Sequence, residues 1–284
     1  MALPTPVVDL GSLTKPADTL IKKISNAIGG VFAPYQIKRL AKAEAEAQLL
    51  KAQGDVRVTD LQRRAVRRWI AEEGHRQNNI EGITAKALPR LTEDADAGLV
   101  EDDWFVNFFD KSRIVSDEQM QDLWARVLSG EANAPGSFSR RTVNALADLD
   151  RADAELFTDL AGFVWHSGGR PIPLVFDSEA TIYTSRRIHF ASLSHLEDVG
   201  LVKFNNLTGF IVQGIGKKCQ LYYYGRGLVL EMPKDENNPL EVGSVLLTKV
   251  GWELMQVCEG RRVDGFWEYV SDRWRQYLPS SRAE

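Results

Sequence analysis

The chain has 284 residues, 44% of them apolar and 26% charged, which suits one large or two modest globular domains and excludes a disordered or collagen-like polymer. Its two cysteines, Cys219 and Cys258, cannot form a disulfide framework or a Cys-rich zinc site within one chain. The net charge of −4 hides an arrangement: residues 15–90 carry 15 Lys/Arg against 8 Asp/Glu, residues 91–160 carry 6 against 16, and residues 161–284 balance.

The opening Met1-Ala-Leu-Pro-Thr-Pro lacks the basic and apolar regions of a secretory signal. No stretch approaches the ~20 apolar residues of a membrane span. The expectation is a cytoplasmic protein. Thr14 can cap a helix with Pro16 in its first turn, and apolar residues then recur at helical spacing. Leu20, Ile21, Ile24, Ile28, Val31 and Phe32 form one stripe, with Lys22 and Lys23 beside it. Interfacial membrane helices share this pattern, so the stripe is a candidate membrane or oligomer face. Most such stripes instead pack on the rest of the protein or on a second subunit.

Residues 35–53 are rich in Ala, Lys, Glu, Gln and Leu, all strong helix formers. After Gly54-Asp55 a second helical run carries Leu61, Ala65, Val66, Trp69 and Ile70. Arg63, Arg64, Arg67 and Arg68 occupy its other side, a candidate anion-binding face. A shorter helix is expected at 77–88, then an acidic linker from Pro89. Ser116 and Gln119 read as a capping box for a helix through Met120, Leu123, Trp124, Val127 and Leu128 that stops at Gly130. Ser139 and Asp150 can cap two more, the latter running through Val164 to Gly168-Gly169. Beyond 169 the period changes. Strands are expected at 172–176, 181–183, 201–207, 210–215, 220–224 and 228–232, with helices at 190–200, 247–254 and 263–278.

The fold class expected is mainly α with an α+β C-terminal part. Residues 1–90 hold amphipathic and long basic helices, 91–169 a helical bundle with an acidic linker, and 170–284 a winged-helix-like region. In that last region Lys217, Lys218 and Arg226 are candidate wing contacts, near Tyr222, Tyr223 and Tyr224. The candidate recognition helix, 192–199, carries Glu197 and Asp198 and no Lys or Arg, which favours protein over DNA as its partner.

Catalytic grammar is thin. None of the four histidines, His75, His166, His189 and His195, has metal-ligand spacing. There is no nucleophile elbow, P-loop or dinucleotide fingerprint, and Gly214-Ile-Gly216 falls in an expected hairpin. No cofactor is called for, and an enzyme is not expected.

Residues 29–47, 59–68, 79–88 and above all DDWFVNFFDKSRIVSDEQMQDLWARVLSGEANAPGSFSRRTVNALADLD (102–150) resemble an uncharacterised bacterial family of unknown function. The front of that family is similar to the Abi-alpha family, linked to abortive phage infection. The resemblance implies a bacterial cytoplasmic protein in phage defence; it implies no catalytic residue. The reading is a non-enzymatic homo-oligomer that acts on a protein partner, such as a phage component, or on a membrane surface. A winged-helix DNA-binding regulator is the alternative, and a metal-dependent nuclease the second.

Overall fold

The computed structural model describes residues 14–29 and 60–279. The helix expected at 35–53 and the stripe residues Val31 and Phe32 lie outside them. The described chain is mainly helical, with antiparallel sheet in its C-terminal half. It divides into two compact units, up to Ala147 and from Asp148, a boundary inside the stretch grouped above as 91–169.

The first unit contains α1 (Lys15–Ile28), α2 (Asp60–Ala87), α3 (Asp102–Ser112), α4 (Glu118–Asn133) and α5 (Arg140–Asp148). Thr14 caps α1 through its hydroxyl, which accepts the Ala17 N–H. Leu20, Ile21 and Ile24 are buried where α1 packs on α3 and on the short turn at 97–99. The aromatic run of α3 supplies the centre of the core. Trp104 stacks on Phe108 at 5.0 Å, and Phe108 meets Trp124 of α4 edge-on at 5.0 Å. The Trp104 indole donates to the Phe138 carbonyl at 2.7 Å, which satisfies its buried N–H.

Helix α2 runs without a break through both helices expected at 61–70 and 77–88. Val66, Trp69, Glu73, Arg76, Ile80, Ile83 and Ala87 follow one seam of three- and four-residue steps along it. The second half of that seam is covered: Ile80, Ile83 and Ala87 are buried where α2 packs on α4. Asp117, not Ser116, caps α4, its carboxylate accepting from Gln119 and Met120 N–H. Nor does α4 stop at Gly130. It continues to Asn133, and the missing side chain of Gly130 makes room for the Phe138 ring, which an added Cβ would approach to 2.7 Å.

The second unit begins with α6 (Arg151–Ala161), held by the expected Asp150 cap in a reciprocal box with Asp153. Then come β1 (Val164–Ser167), β2 (Arg170–Pro173), α7 (Thr181–Thr184) and α8 (Phe190–Asp198). Strands β3 (Val202–Phe204), β4 (Phe210–Ile215), β5 (Lys218–Tyr223), β6 (Arg226–Glu231), β7 (Asn238–Gly243) and β8 (Val245–Leu247) precede α9 (Lys249–Met255) and α10 (Phe266–Arg273). One sheet has the order β2-β1-β5-β6; β3 pairs with β8, and β4 with β7. Trp165, Tyr183, Tyr223, Phe163, Phe266 and Trp274 fill the unit's core. The Tyr223 hydroxyl donates to the Gly162 carbonyl and accepts from Val263 N–H, both at 2.8 Å.

Two sequence expectations fail here. Val164 to Ser167 is a strand, not the end of α6, because Gly168-Gly169 forms the positive-φ turn of a two-residue hairpin rather than a helix stop. Residues 181–184 form a helical turn, not a strand.

Candidate functional site

The α1 stripe is not an open face. Leu20 and Ile24 are 0% exposed, Ile21 is buried and Ile28 half-buried, so the apolar surface that a membrane would need is spent on the chain's own core. The lysines that flank it are engaged within the unit. Lys22 pairs with Asp18 at 2.7 Å; Lys23 reaches Asp102 at 2.7 Å and the Val100 carbonyl at 3.1 Å. Among the described residues no helix is long and apolar enough to cross a membrane.

The first half of α2 is the opposite case. Leu61 is 67% exposed, Val66 55%, Trp69 56% and Ile70 60%. Four large apolar side chains within ten residues of one helix therefore stand in water, where a buried set would gain ~1.5–3 kcal/mol each. Val66 and Trp69 continue the seam that packs on α4 further along, while Leu61 and Ile70, nine residues apart, flank it on opposite sides. On the other side Arg64, Arg67 and Arg68 are exposed, so the arginine surface exists as expected. Arg64 faces Asp60 at 3.6 Å and Arg68 faces Glu72 at 3.4 Å, pairs one turn apart on the same helix. Such exposed pairs contribute little energy, yet they lower the net positive potential an anion would meet. Arg63 lies on the same helix by sequence.

The wing candidates are all engaged by acids. Lys217 lies 3.7 Å from Asp235 and donates to the Pro233 carbonyl; Lys218 lies 3.8 Å from Glu231. Arg226 pairs with Glu268 at 2.8 Å and stacks its guanidinium 3.4 Å above the Trp267 ring. Each of these carboxylates lowers the positive potential that a phosphate would meet.

The histidines take separate structural places. His189 caps α8, its ring nitrogen accepting from Ser192 N–H. His195 on α8 holds Asp153 of α6 at 2.5 Å. The hydrogen bond to Asp153 raises the His195 pKa; burial pushes the Asp153 carboxyl up, but its bonds from His195 and the Asp150 backbone bring it below its ordinary value. Partial burial depresses His166, on the outer face of β1. Among the described residues no three His, Cys, Asp or Glu side chains converge as metal ligands. The α6–α8 pair escaped the sequence reading because its members are 42 positions apart.

These features define a mainly helical protein in two units, the first of which presents exposed large apolar side chains on the first half of α2. A family model described as Protein of unknown function (DUF2806) matches residues 63–271, and the chain belongs to that family. No curated protein and no solved structure matches the chain.

Proposed function

We propose that this protein is a non-enzymatic interaction protein that associates with itself through the first half of α2. The carrying observation is the exposed Val66 and Trp69, flanked by exposed Ile70 and Leu61, in line with a seam that is already packed along the same helix. Continuity of the 3–4 spacing supports a helix as the covering element, because the same groove geometry is offered at both ends. The buried α1 stripe removes the support that the membrane reading drew from residues 20–28.

The test is sedimentation of the full chain at micromolar concentration, wild type against Trp69→Glu/Ile70→Glu. The wild type is expected above monomer mass and the variant at monomer mass, with unchanged circular dichroism. A monomeric wild type overturns the reading.

The order α8, β3, a ribbon of β4 and β7, β8, α9 supports reading residues 170–284 as winged-helix-like. Acid-paired Lys217, Lys218 and Arg226, with Glu197 and Asp198 at the end of α8, favour a protein partner over DNA there. A gel shift at low salt that is weakened by Lys217→Glu/Lys218→Glu would reverse that preference. The similarity of the front of the family to the Abi-alpha family supports phage defence as the setting. Plaque counts on cells with and without the protein test it, and equal counts across a phage panel remove it.

A further inference from the structure

The two edges of the β2-β1-β5-β6 sheet differ. On one edge, β2 carries Pro171 and Pro173, which lack the N–H that a new strand would need. On the other, β6 has the sequence Arg-Gly-Leu-Val-Leu-Glu, with neither proline nor bulge against β5. The Met232 N–H donates to the Lys217 carbonyl at 2.8 Å, which fixes the alternation of the β5–β6 ladder. Residues 226, 228 and 230 therefore bond to β5, while the backbone groups of Gly227, Val229 and Glu231 point away from it. Among the described residues no strand takes them up.

We propose that β6 pairs antiparallel with β6 of a second copy, about a two-fold axis at Val229. This surface lies in the second unit and is independent of α2. Only odd-numbered residues present outward groups, so Val229 faces itself and Gly227 faces Glu231 of the copy, with about six backbone hydrogen bonds in all. Side chains fit the same register. Lys218 lies across from Glu231 on the outer face, and Tyr222 lies across from Gly227, with its ring edge 3.4 Å from where a Gly227 Cβ would stand. The Tyr222 ring thus lies over a residue with no side chain, towards the free edge. The next strand, ~4.8 Å beyond, brings the copy's Glu231 carboxylate to the Tyr222 hydroxyl. Each outer row becomes Lys218, Glu231, Gly227, Tyr222 across the junction, a cation, an acceptor, a gap and a donor that closes it. The two Val229 side chains meet at the axis, and Leu228 and Leu230 continue the buried face.

The experiment uses the full chain carrying Trp69→Glu/Ile70→Glu, so that contact through α2 does not contribute. Sedimentation equilibrium is expected to show a monomer–dimer equilibrium that is monomeric at the few-micromolar concentration of the α2 test and populates the dimer towards about 200 µM. Val229→Pro, which removes an outward N–H and none directed at β5, is expected to leave only monomer. Tyr222→Phe is expected to raise the dissociation constant about tenfold. If Val229→Pro loses its near-ultraviolet circular dichroism, Tyr222→Phe decides. A chain that stays monomeric at every concentration, as one that accepts only foreign strands would, overturns the proposal. So does a dimer that neither substitution changes. Neither result touches the α2 reading, which rests on wild type against Trp69→Glu/Ile70→Glu.

Discussion

At the scale of single residues, the clearest dependencies are a proton and a glycine. The His195–Asp153 contact joins α6 to α8, and its two pKa shifts have opposite signs. Because the His195 value is raised in the fold, its stabilisation is complete below the ordinary imidazole value of ~6.5 and fades as pH rises through the raised value. On the acid side the contribution of Asp153 is lost as pH falls through its depressed value. The melting-temperature difference between wild type and His195→Asn should therefore be largest near pH 5–6 and shrink towards pH 9. A difference that is flat with pH would show that the contact is not proton-linked. His166 opposes this trend: its pKa is depressed, so protonation below ~6.5 weakens the fold, and His166→Gln should remove that loss. Gly251, near the start of α9, sits where an added Cβ would collide with the Leu201 carbonyl oxygen. Gly251→Ala should cost about 1–3 kcal/mol in a denaturant titration, since two backbone segments must part.

At the scale of elements, the β5–β6 hairpin turns on Tyr224-Gly225, both at positive φ, in the two-residue loop where Asn-Gly is the favoured pair. Tyrosine in that conformation is strained, and its ring makes an edge contact with Tyr223 at 4.9 Å. Tyr224→Asn is expected to stabilise the hairpin by about 0.5–1 kcal/mol, read as a higher melting temperature. Much of this level is legible in the residues themselves. The Thr14, Asp150 and Thr248 caps have the side-chain oxygen that a helix start requires, and all three are used. Val164 and Trp165 are not legible in the same way. They prolong the apolar run of α6, and Gly168-Gly169 serves a helix stop and a hairpin equally well; the hairpin prevails because Trp165 then enters the core beside Tyr223, 5.4 Å away. Strand β7 is hidden by Asn237-Asn238-Pro239, which reads as a turn, whereas Asn238 is buried and bonds to the Ile215 and Lys234 carbonyls.

At the scale of the whole chain, two apolar stripes that look alike in the sequence have opposite fates. Leu20, Ile21 and Ile24 recur at helical intervals, as do Ala65, Trp69 and Ile70, yet the first set is covered by α3 and the second is exposed. Periodicity reports that a face will be buried; which neighbour buries it is settled only by tertiary packing. The candidate site was therefore half legible: the residues of α2 could be named, but not their exposure. Each unit has its own aromatic core, so a fragment of residues 148–284 should keep the near-ultraviolet signal of Trp165, Tyr183 and Phe266 and melt cooperatively. A fragment without a cooperative transition would contradict that independence.

The seam of α2 has a last consequence, for how the open half holds its shape. A helix pays most for its first turn and little for each residue added. In α2 the turns from Ile80 to Ala87 are clamped against α4, so nucleation is complete before the exposed half is reached. Helicity there is propagation from an anchored end, and amide exchange should quicken from residue 76 towards residue 60. A bound helix would flatten that gradient without having to create the helix, so recognition begins from a shape already set.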